Sequence, residues 1–76
     1  MTQKEFNELL EAITDIGRHM IEYGAEIRRV EDTMLYICNA YNIDTAEIYA
    51  SVPLIVATIK NSTGLSATNS ARITNY

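Results

Sequence analysis

The stretch Gly24-Ala25-Glu26-Ile27-Arg28-Arg29-Val30-Glu31-Asp32-Thr33-Met34 decides how the rest of the chain is read. It follows one amphipathic segment, opens another, and holds the densest cluster of charge in the sequence. A helix beginning near Glu26 places Ile27, Val30, Met34, Ile37, Cys38 and Tyr41 on one stripe at the i, i+3, i+4, i+7 spacing. At about 100° of rotation per residue, Arg29, Asp32 and Tyr36 point away from that stripe, and Glu31 falls at its margin beside Ile27 and Cys38. A carboxylate at the edge of an apolar seam needs a partner.

Working back towards the N-terminus, Thr2 and Glu5 stand at the spacing of a capping box. Behind them Phe6, Leu9, Leu10, Ile13, Gly17, Met20 and Ile21 form one apolar face, opposite Glu8, Glu11, Asp15, Arg18 and Glu22. That is a first helix. Gly17 sits mid-stripe, where glycine costs about 1 kcal/mol against alanine, so the close approach of another backbone is expected there. Gly24 is expected to end the helix as a left-handed residue, which makes the two helices a hairpin with facing seams.

Working forward, Asn42 is expected to cap the second helix, and the period then changes. Glu47–Val52 and Leu54–Lys60 are rich in β-branched residues and predict two strands, with Pro53 between strands or on an edge because it lacks an amide donor. Asn61-Ser62-Thr63-Gly64 is a turn signal, and Leu65–Ile73 predicts a third, more polar strand. The expected fold is α+β: an N-terminal helical hairpin packed on a three-stranded antiparallel meander, ααβββ, in a single domain over residues 1–76. Two helices cover one face of such a sheet. The third strand runs on to Tyr76 with no closing element, so the domain is expected to be a fragment of something larger.

Composition narrows the function. Six basic residues scattered among ten acidic ones, for a net charge of −4, make no basic face for phosphates, so no nucleic-acid partner is expected. A recognition helix opening on Glu26 and carrying Glu31-Asp32 has the wrong sign for DNA. A lone Cys38 excludes an intrachain disulfide and fits a reducing compartment. The longest apolar run, Val52–Ala57, falls far below the roughly 20 residues that span a bilayer, and Met1–Glu5 opens no secretory signal. A chain this short buries only about 60% of its unfolded surface, so support from a partner chain or further sequence is expected.

No enzyme is expected. His19 lies on the polar face, far from other metal-type ligands, and Cys38 sits on the apolar stripe with no histidine beside it. There is no phosphate loop and no zinc spacing, and neither metal nor cofactor is expected. The charged cluster has two readings. Arg29, with Arg28 or Arg72, offers guanidinium forks that match a carboxylate, with Glu31 or Asp32 able to carry protons or hold a cation. Alternatively Glu26–Arg29, Arg28–Asp32 and Arg29–Asp32 are ion pairs on a wet helix face, each contributing a few tenths of a kcal/mol. The second reading is the more ordinary one for a helix surface, except at Glu31.

The run Tyr23-Gly24-Ala25-Glu26-Ile27-Arg28-Arg29-Val30-Glu31-Asp32-Thr33-Met34 resembles the signature of the N-terminal domain of the threonine/serine exporter (ThrE-like) family, which includes YjjP-type membrane proteins. The similarity extends through Ile13–Met20, Cys38–Asn42, the Pro-containing strand Pro53–Ile59 and the pair Arg72-Ile73. Ile43-Asp44 is more polar than the family's usual helix ending.

The resemblance implies a cytoplasmic N-terminal region ahead of several transmembrane helices, in a cell-membrane protein that exports threonine and serine, or a dicarboxylate such as succinate, coupled to the proton gradient. It implies Gly24, Ala25, Glu26, Arg29, Glu31, Asp32 and Arg72 as motif or substrate-binding residues. Its partners are the rest of the parent chain in the membrane, a partner membrane subunit or a second copy, and a small hydrophilic solute. The competing expectation is a small interaction or dimerisation module with no role in transport, supported by the small core and the polar third strand.

Overall fold

Two helices and three strands follow in the expected order: α1 (Gln3–Glu22), α2 (Ile27–Ala40), β1 (Thr45–Ala50), β2 (Leu54–Lys60) and β3 (Ser66–Arg72). The structure, a computed structural model, describes residues 1–74. The expected run-on through Asn75 and Tyr76 lies outside the described residues. The sheet is an antiparallel meander in the order β1-β2-β3.

The capping box opens α1. Thr2 Oγ1 accepts from the Glu5 N–H at 3.1 Å, and the Glu5 carboxylate accepts from the Thr2 N–H at 2.8 Å. That second bond holds the Glu5 carboxyl below its ordinary pKa. Both helices then end the same way. At α1 the Gly24 N–H donates to Ile21 O (3.0 Å) and the Ala25 N–H to Met20 O (2.9 Å), with Gly24 at φ +90°. At α2 the Asn42 N–H donates to Asn39 O and the Ile43 N–H to Cys38 O, both at 3.0 Å, with Asn42 at φ +59°. These are paired Schellman closures. Asn42 therefore lies one residue beyond the C-cap, which is Tyr41. Tyr41 departs from its expected place on the apolar stripe, because the helix has stopped turning there and its ring is 55% exposed.

The core lies between the helices and one face of the sheet. Phe6, Leu10, Ile13 and Ile21 of α1, Val30, Met34 and Cys38 of α2, and Ile55, Ala57 and Ile59 of β2 are buried together with Ala50 and Ile73. Helix α1 lies across β3 and β2, and α2 lies over β1. Gly17 is required at this junction, but by side chains rather than by a neighbouring backbone as expected. A Cβ there would sit 2.6 Å from Met34 Sδ and 3.1 Å from Ile55 Cδ1. Among the described residues Thr14 is the buried polar side chain; it donates to Leu10 O at 2.5 Å and accepts from Asn69 Nδ2 of β3 at 2.7 Å.

Strand β1 begins two residues earlier than its sequence predicts and stops two earlier. Ser51 and Leu54 exchange backbone bonds (2.9 and 3.1 Å), closing Val52-Pro53 into a two-residue hairpin loop. The second hairpin is stapled from outside: the Asp44 carboxylate accepts from the Ser62 N–H at 2.6 Å, and Asn61 Oδ1 accepts from the Asp44 N–H at 3.2 Å. The bond from Ser62 lowers the Asp44 pKa. The unexpectedly polar Ile43-Asp44 ending is thus half core and half latch, since Ile43 is buried.

Candidate functional site: the charged helical hairpin

The charged stretch divides into a structural half and a half turned to solvent. Gly24 supplies the left-handed turn, and Ala25 closes the Schellman motif over Met20. Glu26 is the N-cap of α2, at φ −66° and ψ 142°, and its side chain makes no capping bond. Because Glu26 is extended rather than helical, it leaves the helical spiral and does not meet Arg29. None of the three anticipated ion pairs forms. Among the described residues the ion pairs belong to Arg18, which contacts Asp15 at 3.4 Å and Glu22 at 3.2 Å. An exposed pair gains too little to hold two long side chains in one geometry, which accounts for Arg28 and Asp32 standing apart.

Glu31 finds the partner that its half-buried position demands. Its Oε2 accepts from the Ala50 N–H at 2.9 Å, tying the first turns of α2 to the end of β1. Ala50 is itself buried, so this N–H lies at the margin of the core. The role is architectural.

Arg29 is left facing solvent with no carboxylate within ion-pair distance among the described residues. It stands between two open hollows. The larger, of about 600 Å³, is lined by Ile16, His19, Met20 and Tyr23 of α1, by Gly24 and Ala25 of the turn, and by Arg29 itself. The smaller is lined by Arg29, Asp32, Thr33 and Tyr36. Both hollows are shallow and open to solvent, with partly apolar walls and the Arg29 guanidinium in common. The chemistry on offer is recognition of an anion beside an apolar or hydroxylated body.

Arg72 does not join this site. It ends β3 opposite Leu54, on the sheet face that the helices leave uncovered, whereas Arg29 belongs to the helical layer. His19, expected to be a merely solvated histidine, is exposed but sits in the Arg29 hollow. Ile16, Met20 and Tyr23 also line it, and the periodicity of α1 could not reveal them as a wall because the opposing wall comes from another helix. No cluster of metal-type ligands occurs among the described residues. Cys38 is buried, and burial raises its thiol pKa, as suits an inert core cysteine.

Hairpin, meander and motif together define an ααβββ domain with a solvent-facing arginine. The chain belongs to the ThrE family, whose model, described as "Putative threonine/serine exporter", matches residues 11–76. That is a family of transporters rather than of enzymes. Comparison with curated proteins and with solved structures finds no match. No helix among the described residues is long and apolar enough to cross a membrane.

Proposed function

We propose that this chain is the cytoplasmic N-terminal domain of a multi-pass membrane exporter of small hydrophilic metabolites, either threonine and serine or a dicarboxylate such as succinate, with transport coupled to the proton gradient. The observation that carries the reading is Arg29. Within a motif of an exporter family, it is the basic group that lines both open hollows and has no carboxylate within ion-pair distance among the described residues. A guanidinium fork matches the carboxylate that all of these solutes share. Gly24 and Ala25 hold the hairpin in the shape that presents it, and Glu31 ties α2 to β1. Asp32, across the smaller hollow from Arg29, lies where it can accept from the ammonium of an amino acid.

The test is export by the complete parent protein. Arg29→Ala is expected to reduce export of the solute at least ten-fold at normal membrane abundance, with Arg29→Lys intermediate because it keeps charge without the fork. Unchanged export by Arg29→Ala at wild-type abundance would sink the proposal. The reading as an interaction module without a transport role is favoured by a separate observation, the bare edge of β3, and export unaffected by every substitution in the hairpin would speak for it.

A further inference from the structure

The two edges of the sheet are finished differently. The reciprocal bonds between Ser51 and Leu54 set the phase of the β1–β2 ladder, which turns the N–H and C=O groups of Ala46, Ile48 and Ala50 outward. On that edge α2 packs against β1, and Glu31 takes the Ala50 N–H at the strand's end. On the other side, the bonds from the Asn61 N–H to Leu65 O (2.8 Å) and from the Ile73 N–H to Pro53 O (2.6 Å) set the β2–β3 phase. It turns Ser66, Thr68, Ser70 and Arg72 outward. Only Ser66 O is covered, by Gln3 Nε2 at 2.9 Å. Thr68, Ser70 and Arg72 are exposed, and their backbone groups have no partner on that side among the described residues. The strand has none of the usual protection: no proline, no lysine and an unbroken ladder.

We propose that β3 pairs antiparallel with β3 of a second copy, about a two-fold axis at Ser70, joining two meanders into one six-stranded sheet. The register follows from what is already occupied. Gln3 holds Ser66, so pairing runs over Thr68, Ser70 and Arg72, with Ser70 facing its own counterpart and Thr68 facing Arg72 of the other copy. No like charges oppose one another in that ladder.

The flank of α1 beside β3 is self-complementary under the same axis. Asn7 and Glu11 border β3 at Ala67, Thr68 and Asn69, and Arg18 continues their row two helical turns beyond Glu11. Thr14 meets Asn69, so the axis at Ser70 passes near the middle of α1 and brings Glu11 of each copy towards Arg18 of the other, a guanidinium that also holds Asp15 and Glu22 of its own chain. Neighbouring strands lie about 4.8 Å apart and α1 spans β3 and β2, so the two α1 helices come on the order of 10 Å apart, a normal packing distance. A β3–β3 contact about a two-fold axis is isologous, so this interface closes at two.

Sedimentation equilibrium of the 76-residue chain tests this. The mass is expected to rise from one chain towards two with concentration, and amide exchange at Thr68, Ser70 and Arg72, but not at Ala46 and Ile48, to slow in parallel. Ser70→Lys and Ser70→Glu, each opposing like charges across the axis, should weaken association about ten-fold, and their equimolar mixture should recover it to within about three-fold of wild type. The proposal is overturned by a strict monomer up to about 1 mM, or by association that Ser70→Lys leaves unchanged. It is equally overturned if protection builds up on β1, or if the mixed variants associate no better than each alone.

Discussion

Removing the Glu31 carboxylate isolates what the latch between α2 and β1 contributes. In Glu31→Ala the Ala50 N–H, at the margin of the core, loses its acceptor at 2.9 Å. An orphaned buried donor costs about 1–3 kcal/mol, and a charge-assisted bond lies towards the upper half of that range. A chain of 76 residues has roughly 4–11 kcal/mol of stability at ~0.05–0.15 kcal/mol per residue, so the loss is a large share. At about 4–8 °C per kcal/mol for a domain of this size, a loss of about 2–3 kcal/mol lowers Tm by roughly 8–24 °C. Glu31→Gln keeps an acceptor of the same shape without the charge and should lose about half as much. Asp32→Ala, one position on but exposed, should stay within about 0.5 kcal/mol of wild type. Urea unfolding followed by circular dichroism measures all three. If Glu31→Ala unfolds within 0.5 kcal/mol or so of wild type at an unchanged m-value, the latch is not structural and the division of the motif fails.

Gly17→Ala should destabilise by about 1–2 kcal/mol despite a helix-propensity gain of about 1, because its Cβ meets Met34 Sδ at 2.6 Å; pairing it with Met34→Ala should cost less than the two changes summed, which a double-mutant cycle in urea will show. Asp44 has its pKa lowered by the Ser62 N–H, so its contribution is present above the unfolded carboxylate value and is lost as pH falls through the folded one. Wild type should therefore lose more stability below about pH 4 than Asp44→Asn does, and Glu5, lowered by the Thr2 N–H, should behave likewise; parallel pH curves for wild type and Asp44→Asn would refute this.

Most of the helical hairpin was legible because its determinants are local. Thr2 and Glu5 are three residues apart, Gly24 and Asn42 announce helix ends, and the stripe from Val30 to Cys38 follows one period. The end of β1 was misplaced because the β-branched Val52 argues for strand while the geometry of the Val52-Pro53 loop overrides it. The expected ion pairs failed at Glu26 for a related reason: a cap position is not a helical one. Contacts across long sequence separations left no readable trace. That Glu31 needed a partner followed from its place on the stripe, but that the partner was the backbone of Ala50 did not. Neither Asn69 reaching Thr14 nor His19 joining the Arg29 hollow is encoded in any spacing. The separation of Arg72 from Arg29 likewise emerged only with the sheet register.

The central claim is that Arg29, not Glu31, faces the solute. Amide chemical shifts of the 76-residue chain during titration with threonine, serine and succinate test it directly. Saturable shifts at His19, Tyr23, Gly24 and Arg29, abolished by Arg29→Ala in a chain that remains folded, are the predicted result. Shifts that survive Arg29→Ala, or none at any of these residues with all three solutes, would contradict it.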